Sequence, residues 1–145
     1  MVVVKNIPVK ATAVLAVAAI CNLTSCKKYD EGPAFSLRTK KQRLTGEWEL
    51  DKLVSSNGTV SSNINLEFEF EKDGDFTMIY TYSYYGYGYG SYTYSYKGDW
   101  EWEDSKEKIE IQIGNSIIEY EIIRLTNKEL ILEDDYLNEY QFDKQ

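Results

Sequence analysis

The 145-residue sequence has no histidine and only two cysteines, and its most apolar stretch, residues 11–20, is ten residues long. Without histidine there is no Ser-His or Cys-His nucleophile system, and the usual zinc and haem ligand is missing. An apolar run of ten is too short to span a bilayer, which takes about 20 residues. Positive charge is scarce as well: 16 Lys plus Arg stand against 24 Asp plus Glu, a formal net charge of -8. A chain of that sign repels phosphate backbones, which argues against a nucleic-acid partner. No glycine-rich phosphate loop precedes a helix, because the one glycine repeat lies inside an aromatic tract. What the chain does hold in quantity is aromatic: 13 Tyr, 5 Phe and 3 Trp. Its length suits one domain of about 100–150 residues.

Residues 1–25 have a different character from the rest. Lys5 and Lys10 supply positive charge, no acidic residue precedes Asp30, and the apolar run fits the h-region of a secretory signal peptide. It leads into Leu23-Thr24-Ser25-Cys26, which resembles the lipobox of bacterial lipoproteins. That resemblance implies diacylglyceryl thioether formation on Cys26, cleavage before it and acylation of the new amino terminus, palmitate among the acyl groups. A thiolate is the best nucleophile on offer for this chemistry, whereas Cys21 follows the branched Ile20 and suits cleavage less well. The expected product is exported and held on the outer membrane by its lipid anchor, on either the periplasmic or the cell-surface face, with no disulfide and no free thiol. Loss of Lys5 and Lys10 with the signal carries the formal charge from -8 to -10. Residues 26–44 read as the lipidated cysteine, a polar tether broken by Gly32-Pro33, and a short lead-in helix over 37–44 capped by Ser36. Arg38, Lys40, Lys41 and Arg43 on that helix suit a solvated face, a counterweight to the acidic body, or anionic headgroups.

From residue 45 to 145 the period is two, the signature of half-buried strands. Trp48 and Leu50 share a face, as do Ile64, Leu66, Phe68 and Phe70 against Glu67, Glu69 and Glu71. Residues 55–63 read as a polar loop around Asn57-Gly58, and Asp73-Gly74 marks a hairpin. Phe76, Met78, Tyr80, Tyr82 and Tyr84 are followed by Tyr92, Tyr94, Tyr96, Gly98, Trp100 and Trp102 in one unbroken parity. This predicts a single long strand over 91–103, with Gly98 as a bend or bulge. A turn centred on Gly88 would pair Tyr84 with Tyr92, Tyr82 with Tyr94, Tyr80 with Tyr96 and Phe76 with Trp100. Strands carrying Ile109/Ile111/Ile113, Ile118/Tyr120/Ile122, Leu130/Leu132 and Tyr140/Phe142 follow, with a parity change near Arg124 that indicates a bulge. Eight meandering strands without crossover helices predict an all-β, antiparallel up-and-down barrel; an open sandwich is the other arrangement they suit.

Residues 44–50, Leu-Thr-Gly-Glu-Trp-Glu-Leu, resemble the first-strand Gly-x-Trp motif of lipocalins and other calycins. Residues 98–102 and 120–130 are similar to small lipocalin-like lipoproteins of Gram-negative bacteria. The resemblance implies a lipocalin-like barrel in which Gly46 and Trp48 close one end. It also marks departures: no thiol pair remains after processing, and lipocalins place a late arginine on the tryptophan, where this chain ends in Asp143-Lys144-Gln145.

The most distinctive feature is the stretch 80–96, where nine of seventeen residues are tyrosine. Tyrosine offers an apolar face and a polar tip at small entropic cost. Tyr85, Tyr87 and Tyr89 at the tip, with Tyr92 and Tyr94 below, are the candidate contacts for a protein or glycan partner. Glu67, Glu69 and Glu71, and Glu101 and Glu103, fall on the solvent face, which suits solubility better than acid–base catalysis in a cleft. Asp73/Asp75 and Glu133/Asp134/Asp135 match no complete calcium loop. The expectation is a non-enzymatic binding module with no catalytic residue, no metal and no cofactor. A carrier of a small hydrophobic ligand inside the barrel is the first alternative, and an inhibitor or assembly subunit the second. The many large rings assigned inward favour a filled interior at protein packing density.

Overall fold

The computed structural model describes residues 38–86 and 88–145; the side chains of residues 84–89 lie outside that description. So do the expected signal segment, Cys26 and the tether. A short helix, α1 (Lys40–Leu44), leads into β1 (Gly46–Val54). The strands β2 (Val60–Ser61), β3 (Asn65–Phe70), β4 (Asp75–Gly86), β5 (Gly88–Glu103), β6 (Lys108–Ile113), β7 (Ser116–Leu125), β8 (Glu129–Glu133) and β9 (Glu139–Lys144) follow. From β3 to β9 each strand pairs antiparallel with the next, β1 pairs with β3, and β9 returns to β1. The pairs Trp48–Lys144, Leu50–Phe142 and Val54–Glu139 seal that last seam. Eight strands thus form a closed antiparallel barrel, with β2 folded back as a two-residue addition to the top of β1. Closure leaves the wall without a free edge. Among the described residues no helix is long and apolar enough to cross a membrane.

Alternation delivers the core. Trp48, Phe68, Phe70, Phe76, Trp100, Ile109, Ile111, Ile122, Leu130, Leu132 and Phe142 are all buried. Phe68 of β3 lies 4.8 Å from the Phe142 ring of β9 and 6.3 Å from the Tyr120 ring of β7, so aromatic rings meet across the barrel axis. Phe70, Phe76 and Trp100 extend the cluster at centroid distances of 5.2 to 5.6 Å.

Four details differ from the sequence reading. The helix begins at Lys40 and is capped by Thr39, not Ser36. Gln42 decides this: its N–H donates to Thr39 Oγ1 (3.2 Å) while the Thr39 N–H donates to Gln42 Oε1 (2.9 Å), a reciprocal capping box. Residues 55–63 are a hairpin, with Gly58 at φ +84° in the turn and the Ser55 N–H donating to Thr59 O. Gly98 is no bulge, since pairing with β4 runs through it without a shift. The register of the tyrosine hairpin also differs, as Tyr82 pairs with Tyr92, Tyr80 with Tyr94, Met78 with Tyr96 and Phe76 with Gly98. The glycines at 86, 88 and 90 permit turns one residue apart that keep the same parity, so the tract itself cannot choose between them. The base of the hairpin chooses. The Trp100 N–H donates to Gly74 O (2.7 Å), which sets Trp100 below Phe76 and leaves Gly98 opposite it. The bulge in β7 lies where parity placed it, between Ile122 and Arg124, and β1 carries a second one between Leu50 and Lys52.

Candidate functional site

The hairpin of β4 and β5 outruns the barrel. β3 leaves β4 at Thr81, and β6 accompanies β5 only from Asp99 downward. Above those points the two strands pair only with each other among the described residues, as a ribbon that projects beyond the neighbouring strands. Its even-numbered side chains continue the inward face: Phe76 and Trp100 are buried, and Met78 and Tyr80 half-buried. Past the rim the same face is exposed, by 50% at Tyr82, 63% at Tyr92, 49% at Tyr94 and 44% at Tyr96. On the opposite face Thr81, Ser83, Ser91, Thr93 and Ser95 are small and hydroxylic, with Thr81 Oγ1 and Thr93 Oγ1 3.0 Å apart. The structure therefore puts Tyr92 and Tyr94 on one ladder with Tyr80, Tyr82 and Tyr96. The side chains of Tyr85, Tyr87 and Tyr89 lie outside the described residues. Tyr96 and Tyr82 belong to the candidate surface on the same parity that singled out Tyr92 and Tyr94.

Gly46 and Trp48 occupy the other end. Trp48 is fully buried, and its Nε1 donates to Leu44 O at 2.7 Å, pinning the end of α1 to the barrel floor. Lys144 Nζ stands 4.7 Å over the Trp48 ring and donates to Arg43 O (2.8 Å) and Thr45 O (2.6 Å). Burial, and then the Arg38 guanidinium, hold its ammonium below the usual lysine range. Lys144, from the last strand, thus covers the indole at the barrel floor. Gly46 has φ +127°, and a Cβ there would stand 2.8 Å from Lys144 Cε, so the glycine leaves room for the lysine. The helix's basic residues are drawn in here too: Lys40 Nζ donates to Lys106 O (3.0 Å), and Lys41 Nζ lies 5.8 Å over the Trp100 ring. Three consecutive residues of the turn that receives Lys40, Asp104, Ser105 and Lys106, hold positive φ.

Glu101 and Glu110 face each other across β5 and β6, and with Glu103 their carboxylates approach within 4.8 Å, the metal-capable grouping among the described residues. Burial, followed by repulsion from Glu103, Glu101 and Glu119, raises the Glu110 pKa. Sequence reading took Glu101 and Glu103 as a solvent face and missed Glu110, which the β5–β6 register brings in. Asp134 holds a turn together. Its carboxylate accepts from the Tyr136 and Asn138 backbone N–H groups (both 2.9 Å), from Asn138 Nδ2, and from the Tyr140 hydroxyl (3.2 Å). Burial opposes its charge, but these donors outweigh burial and hold the pKa below the ordinary carboxylate value.

The same network fixes a pH dependence. Burial, then the Asp134 charge and its hydrogen bond, push the Tyr140 hydroxyl up to about 12 from 10.0, and burial also raises Tyr120. A folded pKa above the unfolded one contributes stability that is complete below about pH 10 and is lost as pH rises through the folded value. At the acid end, the Asp134 contribution is lost as pH falls through its depressed pKa. Urea midpoints are expected to drop between about pH 9 and about pH 11.5, and by less in Tyr140→Phe, which removes one of the hydroxyls whose pKa folding raises. Equal drops in the two proteins would dismiss the Asp134–Tyr140 account.

Protein-family models and curated proteins gave no match to this chain. Two solved structures are similar to it. A lipocalin-like protein from Bacteroides uniformis aligns with a TM-score of 0.56 at 19% identity, over 71% of this chain and 99% of that one. An uncharacterized protein from Bacteroides eggerthii aligns with a TM-score of 0.55 at 16% identity, over 70% of this chain and 98% of that one. At such identities the likeness carries the fold and no more. A closed eight-stranded meander, floored by a short helix on a buried Gly-x-Trp tryptophan and superposable on a lipocalin-like structure, gives this chain a lipocalin-like fold.

Proposed function

We propose that the chain is a non-enzymatic binding module of the outer cell envelope, anchored through lipid on Cys26, that meets its partner with the tyrosine face of the β4–β5 ribbon. The observation that carries this is the exposure of Tyr82, Tyr92, Tyr94 and Tyr96 on a single ladder beyond the barrel rim. Large rings left in water on a hydrogen-bonded scaffold are costly without a use, and an apolar surface of this kind marks a contact site. No charged residue interrupts the chain between Lys72–Asp75 at the base of β4 and Lys97 near the base of β5. Flat rings with hydroxyl tips and no fixed charge suit a neutral glycan, which offers C–H faces to stack and hydroxyls to hydrogen-bond.

The triple variant Tyr82→Ser, Tyr92→Ser, Tyr94→Ser is expected to lose glycan-array capture at least about tenfold while keeping the wild-type unfolding midpoint. Capture that survives in the triple variant, or an array on which the wild type binds nothing, would sink the reading. The anchor has its own check: intact-mass spectrometry of protein from native membranes should start at a triacylated Cys26.

A further inference from the structure

We infer that the outer edge of β5 above the barrel pairs with the same edge of a second copy of this chain, antiparallel about Tyr92, joining two ribbons into one four-stranded sheet. The Trp100 N–H reaches back to Gly74 O, and the Glu71 N–H to Asp75 O, at the base of the hairpin. Even-numbered residues of β5 therefore turn their N–H and C=O toward β4, and odd-numbered residues turn theirs the other way. Below Gly98 the odd side is met by β6, beginning with the pair Asp99–Gln112. Above it, among the described residues, no strand pairs with that side between Gly88 and Lys97. Ser91, Thr93 and Ser95 thus present a row of donors and acceptors to solvent.

Proteins that leave such an edge open usually protect it with lysine, proline, a bulge or short length. From Ser91 to Tyr96 there is no charge and no proline, and pairing with β4 shows no bulge. The edge is also self-complementary. The open stretch is centred near Tyr92, so a two-fold axis there brings the tip of each copy level with the base of the other ribbon, short of β6. Ser91 then pairs with Thr93 of the second copy, Tyr92 with its own equivalent, and Gly90 with Tyr94 of the second copy. Ser91 and Thr93 meet on one face, and on the other tyrosine meets tyrosine at the axis or the glycine at 90, an arrangement in which rings cover the bare glycine backbone. No like charges are opposed, and the acidic barrels stay at opposite ends. The arrangement is isologous and uses up both β5 edges. Its consequence is a single tyrosine platform twice as wide as one ribbon, yet the pairing itself does not depend on the ribbon binding a glycan.

The test uses the purified full chain in mild detergent, with no ligand added. Analytical ultracentrifugation across micromolar concentrations should report a protein mass that doubles. Hydrogen exchange in the same range should show the Ser91, Thr93 and Ser95 amides becoming protected as the dimer forms, while the Tyr92 and Tyr94 amides, already bonded to β4, are protected throughout. Tyr92→Lys, which places like charges opposite each other at the axis on an exposed side chain, should shift the dimerisation constant at least about tenfold with an unchanged circular dichroism spectrum. A wild type that stays monomeric, a dimer whose odd-numbered amides exchange freely, or a Tyr92→Lys variant that dimerises as before would each overturn the inference.

Discussion

Replacing Gly98 with alanine is expected to destabilise the protein by roughly 3 kcal/mol or more, among the larger effects a single methyl group can have. A Cβ at Gly98 would lie 1.9 Å from Gln112 O and 2.9 Å from Gln112 C, and both are backbone atoms. No rotamer change relieves such a contact. The end of β6 would have to move away from β5, loosening the Asp99–Gln112 and Trp100–Ile111 pairs that attach the ribbon to the wall. Gly90→Ala is the matched control, because nothing lies within 4 Å of a Cβ there. It exchanges a flexible residue for a stiffer one in an open site, and its effect should stay within about 0.5 kcal/mol. Urea unfolding of the two variants decides the matter; a Gly98→Ala midpoint close to the Gly90→Ala one would mean the strands are not this close.

The fate of Gly98 shows where the sequence was legible and where it was not. Period-two alternation identified the buried face of nearly every strand, because one face of a closed barrel is dry and any wrong parity would put Phe68 or Ile109 in water. Odd spacing between core residues signals a bulge. The step from Ile122 to Leu125 was read that way, and the equal step from Leu50 to Leu53 carried the same message for β1. Register in the tyrosine tract was not readable, since a repeat of Tyr and Gly looks the same after a shift of one turn position, and contacts at the hairpin base made the choice. The helix start was missed because Ser36 and Thr39 are both good caps, and only the Gln42 partnership separates them. Lys144 was invisible for another reason. A lysine next to the end of a chain reads as a solvated charge until the barrel seam pairs it with Trp48. Glu110 joined Glu101 and Glu103 only through cross-strand register. The face each residue takes within its strand was legible; the register between strands was not.

The Trp48–Lys144 contact at the barrel floor yields the second large effect. Trp48→Ala is expected to cost about 3–5 kcal/mol, the range for emptying a fully buried large aromatic site. The loss goes beyond volume, since Leu44 O would lose its 2.7 Å donor and the end of α1 its attachment. Lys144→Met keeps most of the stem packing but leaves Arg43 O and Thr45 O without the ammonium and removes the cation from the indole face. About 2–3 kcal/mol is expected for it, from two charge-assisted hydrogen bonds partly replaced by water and a cation–π contact of about 0.5–2 kcal/mol. The two effects should fall short of their sum in the double variant by about 1 kcal/mol or more, because each single change already frees the helix end that the other group holds. Double-mutant cycles from urea unfolding measure that coupling. Strict additivity would mean that lysine and tryptophan support the floor independently, and Lys144 would then be an ordinary end-of-strand charge, with no part in how the indole closes the barrel.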